Sequence, residues 1–255
     1  MRANETGLRQ PRIVDRLRLA AQKLDGKPPV RPNTAKLLRE ASYPFSPLTR
    51  RIRRQPVISP ASDPKLVLVL PGFLAHPITM SYLSRQIERA GHTAKRWGIG
   101  LNLGPTPERF EALEQRLALI HAQDGRKVVL LGWSLGGLFA RELAKRQPET
   151  VAKVITMGSP FSGDPRSNNA WRLYQFVTGH KVDEPPIGLD LSTKPPVETV
   201  ALWSPRDGVI SPRSASGRPG ERDRAVALRC THMGFSYSPD SIEAVSRELN
   251  TPLLR

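Results

Sequence analysis

The chain has 255 residues, 38% of them hydrophobic, and a formal net charge of +16. That length allows one large α/β domain with a substantial core, and no apolar run approaches the roughly 20 residues of a membrane-spanning helix. Cys230 is the single cysteine, which excludes an intrachain disulfide and a cysteine-rich metal site and fits a reducing compartment.

The charge is uneven. Residues 1–60 hold 14 Lys/Arg against 4 Asp/Glu, and the remainder 25 against 19. The N-terminus lacks an apolar signal-like region, so a cytoplasmic location is expected. The densest basic patch is Arg50 to Arg54, with Ile52 inside it. Such a segment is drawn to anionic surfaces, so peripheral contact with an anionic membrane is an expectation for the arm; a soluble arm that only improves solubility is the plain alternative. No aromatic residue interrupts the basic runs, so no specific nucleic-acid partner is expected.

Residues 1–60 read as a basic arm and linker, and 61–255 as the main domain. Ile13, Leu17, Ala20, Ala21 and Leu24 recur at helical spacing, predicting a helix near 12–24. From Gly26 the prolines break any long element. Tyr43, Phe45 and Leu48 are candidates to pin the arm to the domain. Strands then alternate with helices. "KLVLVL" from Lys65 is a continuous apolar run ending in Pro-Gly, as in a strand buried on both faces. "SYLSRQIERAG" reads as a helix stopped by Gly91. "HTAKRWGI" is a weaker strand. "TPERFEALEQRLALIHAQDG" is a helix capped by Thr106 with Pro107 in its first turn, and Phe110, Leu113, Leu117 and Ile120 on one face. "KVVLLGWS", "VAKVITMG", "VETVALW" and "AVALRC" are further strands. "LGGLFARELAKR" is a helix, and the closing helix is capped by Ser238 or Asp240. Alternation of this kind implies a mostly parallel sheet with helices on both faces, and ligands then bind at the carboxyl ends of the strands.

Gly132-Trp133-Ser134-Leu135-Gly136 has the form G-x-S-x-G between a strand and a helix. A sharp strand-to-helix turn strains the serine backbone, and side chains two positions away would collide with it. The helix N-terminus points its amides and dipole to the same place. A phosphate-binding loop is disfavoured because no G-K-[ST] follows.

Here the chain resembles the α/β-hydrolase superfamily, particularly its bacterial lipases and esterases. The resemblance covers roughly residues 65–250, in the order nucleophile, acid, histidine. It implies an α/β-hydrolase fold with a cap or lid insert after the strand that follows the nucleophile helix. It places the base at His232, which follows an apolar strand and precedes the last helix. Among the other histidines, His92 and His121 read as structural, His180 lies in a loop, and His76 follows the first strand as a pocket candidate. The acid is expected at Asp207, in an Asp-Gly turn after a strand; Asp183 and Asp190 are runners-up. Backbone donors for an oxyanion are Leu135 and Phe73, the latter after Pro71-Gly72 where lipases usually have His-Gly. "MGSPFSG" resembles a lipase phrase with Ser159 in place of Thr and Phe161 in place of His. Phe161 would suit an acyl pocket.

The insert 160–196 lacks strand character and carries Trp171, Leu173, Tyr174, Phe176 and Val177. A short helix there would cover the serine and, with Trp171, Tyr174 and Phe176, receive an acyl chain, although aromatic clusters also simply pack an insert down. The implied function is hydrolysis of a small-molecule or lipid carboxylic ester with apolar acyl groups, through a Ser134–His232–Asp207 triad and no metal or cofactor. Acyl transfer, thioester or amide cleavage, and non-catalytic binding on the same scaffold are the alternatives. Oligomeric state is not legible.

Overall fold

The computed structural model describes residues 11–23, 29–41, 43, 54–188 and 190–253. Two helices lie in the arm, α1 (Ile13–Ala20) and α2 (Thr34–Glu40). The domain runs β1 (Leu66–Leu70), α3 (Ser81–Arg89), β2 (Thr93–Arg96), α4 (Pro107–Asp124), β3 (Val128–Trp133), α5 (Leu135–Arg146), β4 (Val151–Met157), α6 (Trp171–Thr178), β5 (Glu198–Trp203), α7 (Pro212–Ser216), β6 (Arg224–Ala227) and α8 (Pro239–Asn250). The six strands form one parallel sheet in the order β2-β1-β3-β4-β5-β6.

Strand periodicity divides the core. Leu66, Leu68 and Leu70 of β1 join Val128 and Leu130 of β3 on one face, under α4 and α5. Val67, Val69, Val129, Leu131 and Trp133 face the other way, against α3 and α8. Each such side chain contributes about 1.5–3 kcal/mol on full burial, and both faces are covered, so β1 and β3 are apolar throughout. Thr106 caps α4 by accepting from the amide of Arg109 at 3.2 Å, and Gly125 closes it in the left-handed region. Ser238 caps α8.

Strand order positions the site. The chain steps from β1 outward to β2, then returns to β3 on the far side of β1. A crevice opens at the carboxyl ends where the direction reverses, and the loops after β1 and β3 both border it.

The arm differs from a plain linker. Helix α1 spans Ile13–Ala20, shorter than the periodicity predicts; Leu24 is outside the described residues. It packs on α6: Arg16 donates to the carbonyls of Phe176 and Val177, and Gln175 to that of Leu19 at 2.6 Å. Helix α2, absent from the sequence reading, is capped by Asn33 and lies against the turn that follows β5. Tyr43 meets Tyr237 with ring centroids 5.9 Å apart. Phe45, Leu48 and Arg50 to Arg53 fall outside the described residues, while Arg54 pairs with Glu243 at 2.7 Å.

Candidate active site

Ser134 stands between β3 and α5 with φ 54° and ψ −122°, one of two non-glycine residues with positive φ among the described residues. Such a conformation costs of order 1–3 kcal/mol and persists only where the surroundings enforce it. The flanking glycines enforce it. A Cβ on Gly132 would lie 2.4 Å from the Gly136 carbonyl oxygen, and one on Gly136 2.3 Å from that of Leu70. Helix α5 therefore presses directly on β1 and β3. The amide of Leu135, first in the helix, has no carbonyl of its own helix to bond.

The second loop, Pro71 to Ala75, is pinned by Asn102. Its side chain donates to the Pro71 carbonyl at 2.8 Å and its carbonyl accepts from Leu74 at 2.7 Å. Leu74 carries φ 57°. Gly72 faces Ser134 directly: a Cβ there would be 3.2 Å from that of the serine.

Asp207 and His232 are brought together. Asp207 Oδ2 lies 2.8 Å from His232 Nδ1, and Oδ1 accepts from the amides of Val209 and Ile210 at 2.8 Å each. Burial pulls the imidazole pKa down, but the carboxylate of Asp207, with Glu40 beyond it, outweighs that and holds it above its ordinary value. The Trp133 indole N–H donates to the His232 carbonyl at 3.1 Å, and the two rings lie 5.6 Å apart. Among the described residues no hydrogen bond links the Ser134 hydroxyl to the imidazole.

Ser134 opens onto a cavity of about 250 Å³. Phe73 and Leu135 lie in its wall beside the serine, and Leu138, Phe161, Trp171 and Tyr174 supply apolar surface. Arg141, its pKa lowered to about 10 by burial, lies over Phe161 at 4.2 Å and donates to the carbonyls of Leu191 and Thr193, tying the end of the insert to α5. Among the described residues no group of three or more His, Cys, Asp or Glu side chains is arranged to hold a metal ion.

The family described as alpha/beta hydrolase fold matches residues 107–179, which hold the serine turn. The chain has the α/β-hydrolase fold. A curated relative, pimeloyl-[acyl-carrier protein] methyl ester esterase of Aliivibrio fischeri (strain ATCC 700601 / ES114), is 30% identical over 153 residues, covering 56% of this chain and 54% of the relative. The chain thus spans about half the length of that relative. A solved lipase of Bacillus licheniformis superposes with TM-score 0.58 at 16% identity, covering 77% of this chain and 96% of that one. Lipase B of Aspergillus fumigatus does so with TM-score 0.57 at 18% identity, covering 76% and 56%. At such identities the likeness is one of fold.

Within this fold, two expected pocket residues lie elsewhere. His76 caps the short helix Pro77–Met80, its Nδ1 accepting from the Ile78 amide at 3.3 Å, and is not in the cavity wall. Phe176 is not in the wall either. Trp171 and Tyr174, three apart on α6, face the cavity, and Phe176 falls on the outer side. Asp183 pairs with Arg166 at 2.5 Å, and Asp190 accepts from Thr193 and Ser192, so neither engages His232. His92 accepts from the Lys65 amide, and His121 and His180 sit on backbone carbonyls. The sequence places Trp133 beside the nucleophile but gives it no part in holding His232, and it does not mark Asn102 at all. The elbow marks position 133 without saying what it touches, and nothing local marks Asn102.

Proposed function

We propose that the chain is a serine-dependent carboxylic-ester hydrolase acting through Ser134, His232 and Asp207. One observation carries this reading. A serine in a strained elbow opens onto a largely apolar cavity, while the loops after β5 and β6 bring Asp207 and His232 together as a buried pair at 2.8 Å. Rotation of the Ser134 side chain toward His232 Nε2 is the adjustment the reaction needs, and catalytic hydrogen bonds often tighten only with substrate bound. His232 takes the hydroxyl proton as Ser134 Oγ bonds to the acyl carbon. Asp207 fixes the tautomer and stabilises the imidazolium. The amides of Leu135 and Phe73 hold the oxyanion, each typically worth about 10²–10³ in turnover. The tetrahedral intermediate then expels the alcohol, which receives the proton from His232. Water repeats the sequence on the acyl-enzyme and frees the acid.

The apolar wall favours apolar acyl groups. The curated relative is named for a methyl ester, so methyl esters of acyl chains belong in the test panel beside nitrophenyl esters. Ser134→Ala should lose turnover on all of them; equal turnover in both proteins refutes the reading.

Helix α1 exposes Ile13, Val14 and Leu17 beside Arg12 and Arg18, which supports peripheral binding of the arm to anionic lipid. Among the described residues no helix is long and apolar enough to cross a membrane. Ile13→Asp with Leu17→Asp should weaken co-sedimentation with anionic vesicles at low salt. Unchanged co-sedimentation removes this part of the proposal.

A further inference from the structure

Helix α2 ends on Glu40, and its carboxylate enters the loops that carry the acid and the base. Oε1 accepts from the amides of Gly208 at 3.0 Å and His232 at 2.7 Å, and Oε2 from Met233 at 3.0 Å. Gly208 follows Asp207 in the chain, so one side chain from the arm bridges the two loops 168 and 192 residues away from it. The approach is tight. A Cβ on Gly208 would sit 2.4 Å from the Lys36 carbonyl oxygen, so a side chain there would displace the helix. Lys36 Nζ donates to the Pro205 carbonyl at 2.8 Å, and the Asn169 amide joins the carbonyls of Pro32 and Gly208.

We infer that Glu40 is a positioning residue for the proposed reaction, holding the Asp207 turn and the His232 loop in one pose and adding a second negative charge behind the imidazole. The inference rests on the triad reading above. Three amide hydrogen bonds to a carboxylate are charge-assisted and roughly twice as strong as neutral ones, and they satisfy loop amides that regular structure does not reach. The charge acts on His232 as well: Asp207 and then Glu40 favour its protonated form against burial. The rings packed on His232, Trp133 and Phe235, are uncharged. Arg39, Arg206 and Arg229 line a separate polar cavity beside the same loops and oppose that effect in sign.

The test separates charge from geometry. The pH profile of kcat/KM for a nitrophenyl ester is measured for wild type, Glu40→Gln and Glu40→Asp, with Arg54→Gln as a control in the arm. Glu40→Gln keeps the shape, loses the charge and leaves at least one amide without an acceptor. Its acid limb should move to lower pH, and its plateau should fall by up to about 10²-fold, the loss expected when a reacting group is misplaced by about an ångström. Glu40→Asp keeps the charge on a shorter stem, so its plateau should fall while its limb stays nearer to wild type. Arg54→Gln should match wild type in both. An unmoved limb in Glu40→Gln overturns the inference. If Glu40→Gln does not fold, an undiminished plateau in Glu40→Asp overturns it. NMR titration of the His232 ring reads the charge effect without activity: a midpoint equal in wild type and Glu40→Gln is contradictory. Failure of wild type to react at Ser134 sinks the triad reading instead, so the two failures are told apart.

Discussion

Trp133 donates its indole N–H to the main-chain oxygen of His232 at 3.1 Å, so the residue before the serine steadies the loop that carries His232. Trp133→Phe keeps most of the ring and removes the donor. A buried carbonyl then loses its partner, at a cost of about 1–3 kcal/mol. Thermal unfolding should show this loss together with a lower kcat/KM on esters. A variant with wild-type stability and rate would mean that the bond contributes nothing.

Asp207→Asn preserves shape but favours the wrong imidazole tautomer. If Asp207 orients His232 as proposed, turnover should fall by about 10⁴-fold, the loss typical of a serine triad. Asp183→Asn and Asp190→Asn alter carboxylates in the cavity wall that engage Arg166 or the 190–193 turn and not the histidine, so kcat should stay within a few-fold of wild type, any effect falling on KM. Loss of turnover in Asp183→Asn or Asp190→Asn with none in Asp207→Asn would reassign the acid.

The pH profile follows from His232. Its proton is held more tightly than in a free imidazole, because Asp207 and Glu40 outweigh burial. Only the neutral ring accepts the serine proton. Activity should therefore fall as pH drops, with the midpoint of the kcat/KM limb above the ordinary value of about 6.5. The same group links to stability: its contribution is fully present below the unfolded pKa and is lost as pH rises through the raised folded value. A limb below the ordinary value contradicts the assignment.

The elbow glycines differ sharply in tolerance from glycines elsewhere. Gly136→Ala would place a Cβ 2.3 Å from a backbone oxygen of β1, and no flexible atom can yield there. Destabilisation beyond about 4 kcal/mol, or failure to fold, is expected. Gly100→Ala meets nothing within 4 Å and suffers only from its φ of 70°, so about 1–2 kcal/mol is expected. Denaturant unfolding of the pair checks the contrast; similar losses would show that close packing at the elbow is not what selects glycine.

The sheet was legible because parallel strands covered on both faces are written as apolar runs, as Leu66–Leu70 and Val128–Leu131 are. Ser134 follows such a strand directly; His232 follows the half-exposed edge strand β6, and it and Asp207 were placed with the help of the resemblance to α/β hydrolases. The arm was not legible in the same way. Helix α2 is seven residues long with no buried residue, and its hold on the domain includes the Glu40 carboxylate and the Lys36 ammonium, both polar contacts. Polar contacts of that kind leave no periodicity. Lys153 shows the same limit inside the core: it is buried in β4 and faces Glu198 at 3.3 Å, yet in sequence it reads as a break in an apolar run. Phe176 failed for a different reason, since an aromatic-rich helix does not announce which aromatics turn inward.

The central claim is that Ser134 is the nucleophile. Reaction with a fluorophosphonate, followed by peptide mass mapping, tests it most directly. The account predicts one modified residue, Ser134, with labelling abolished in Ser134→Ala and slowed in His232→Ala. An unlabelled wild-type protein, or a modification that maps to another residue, would contradict it.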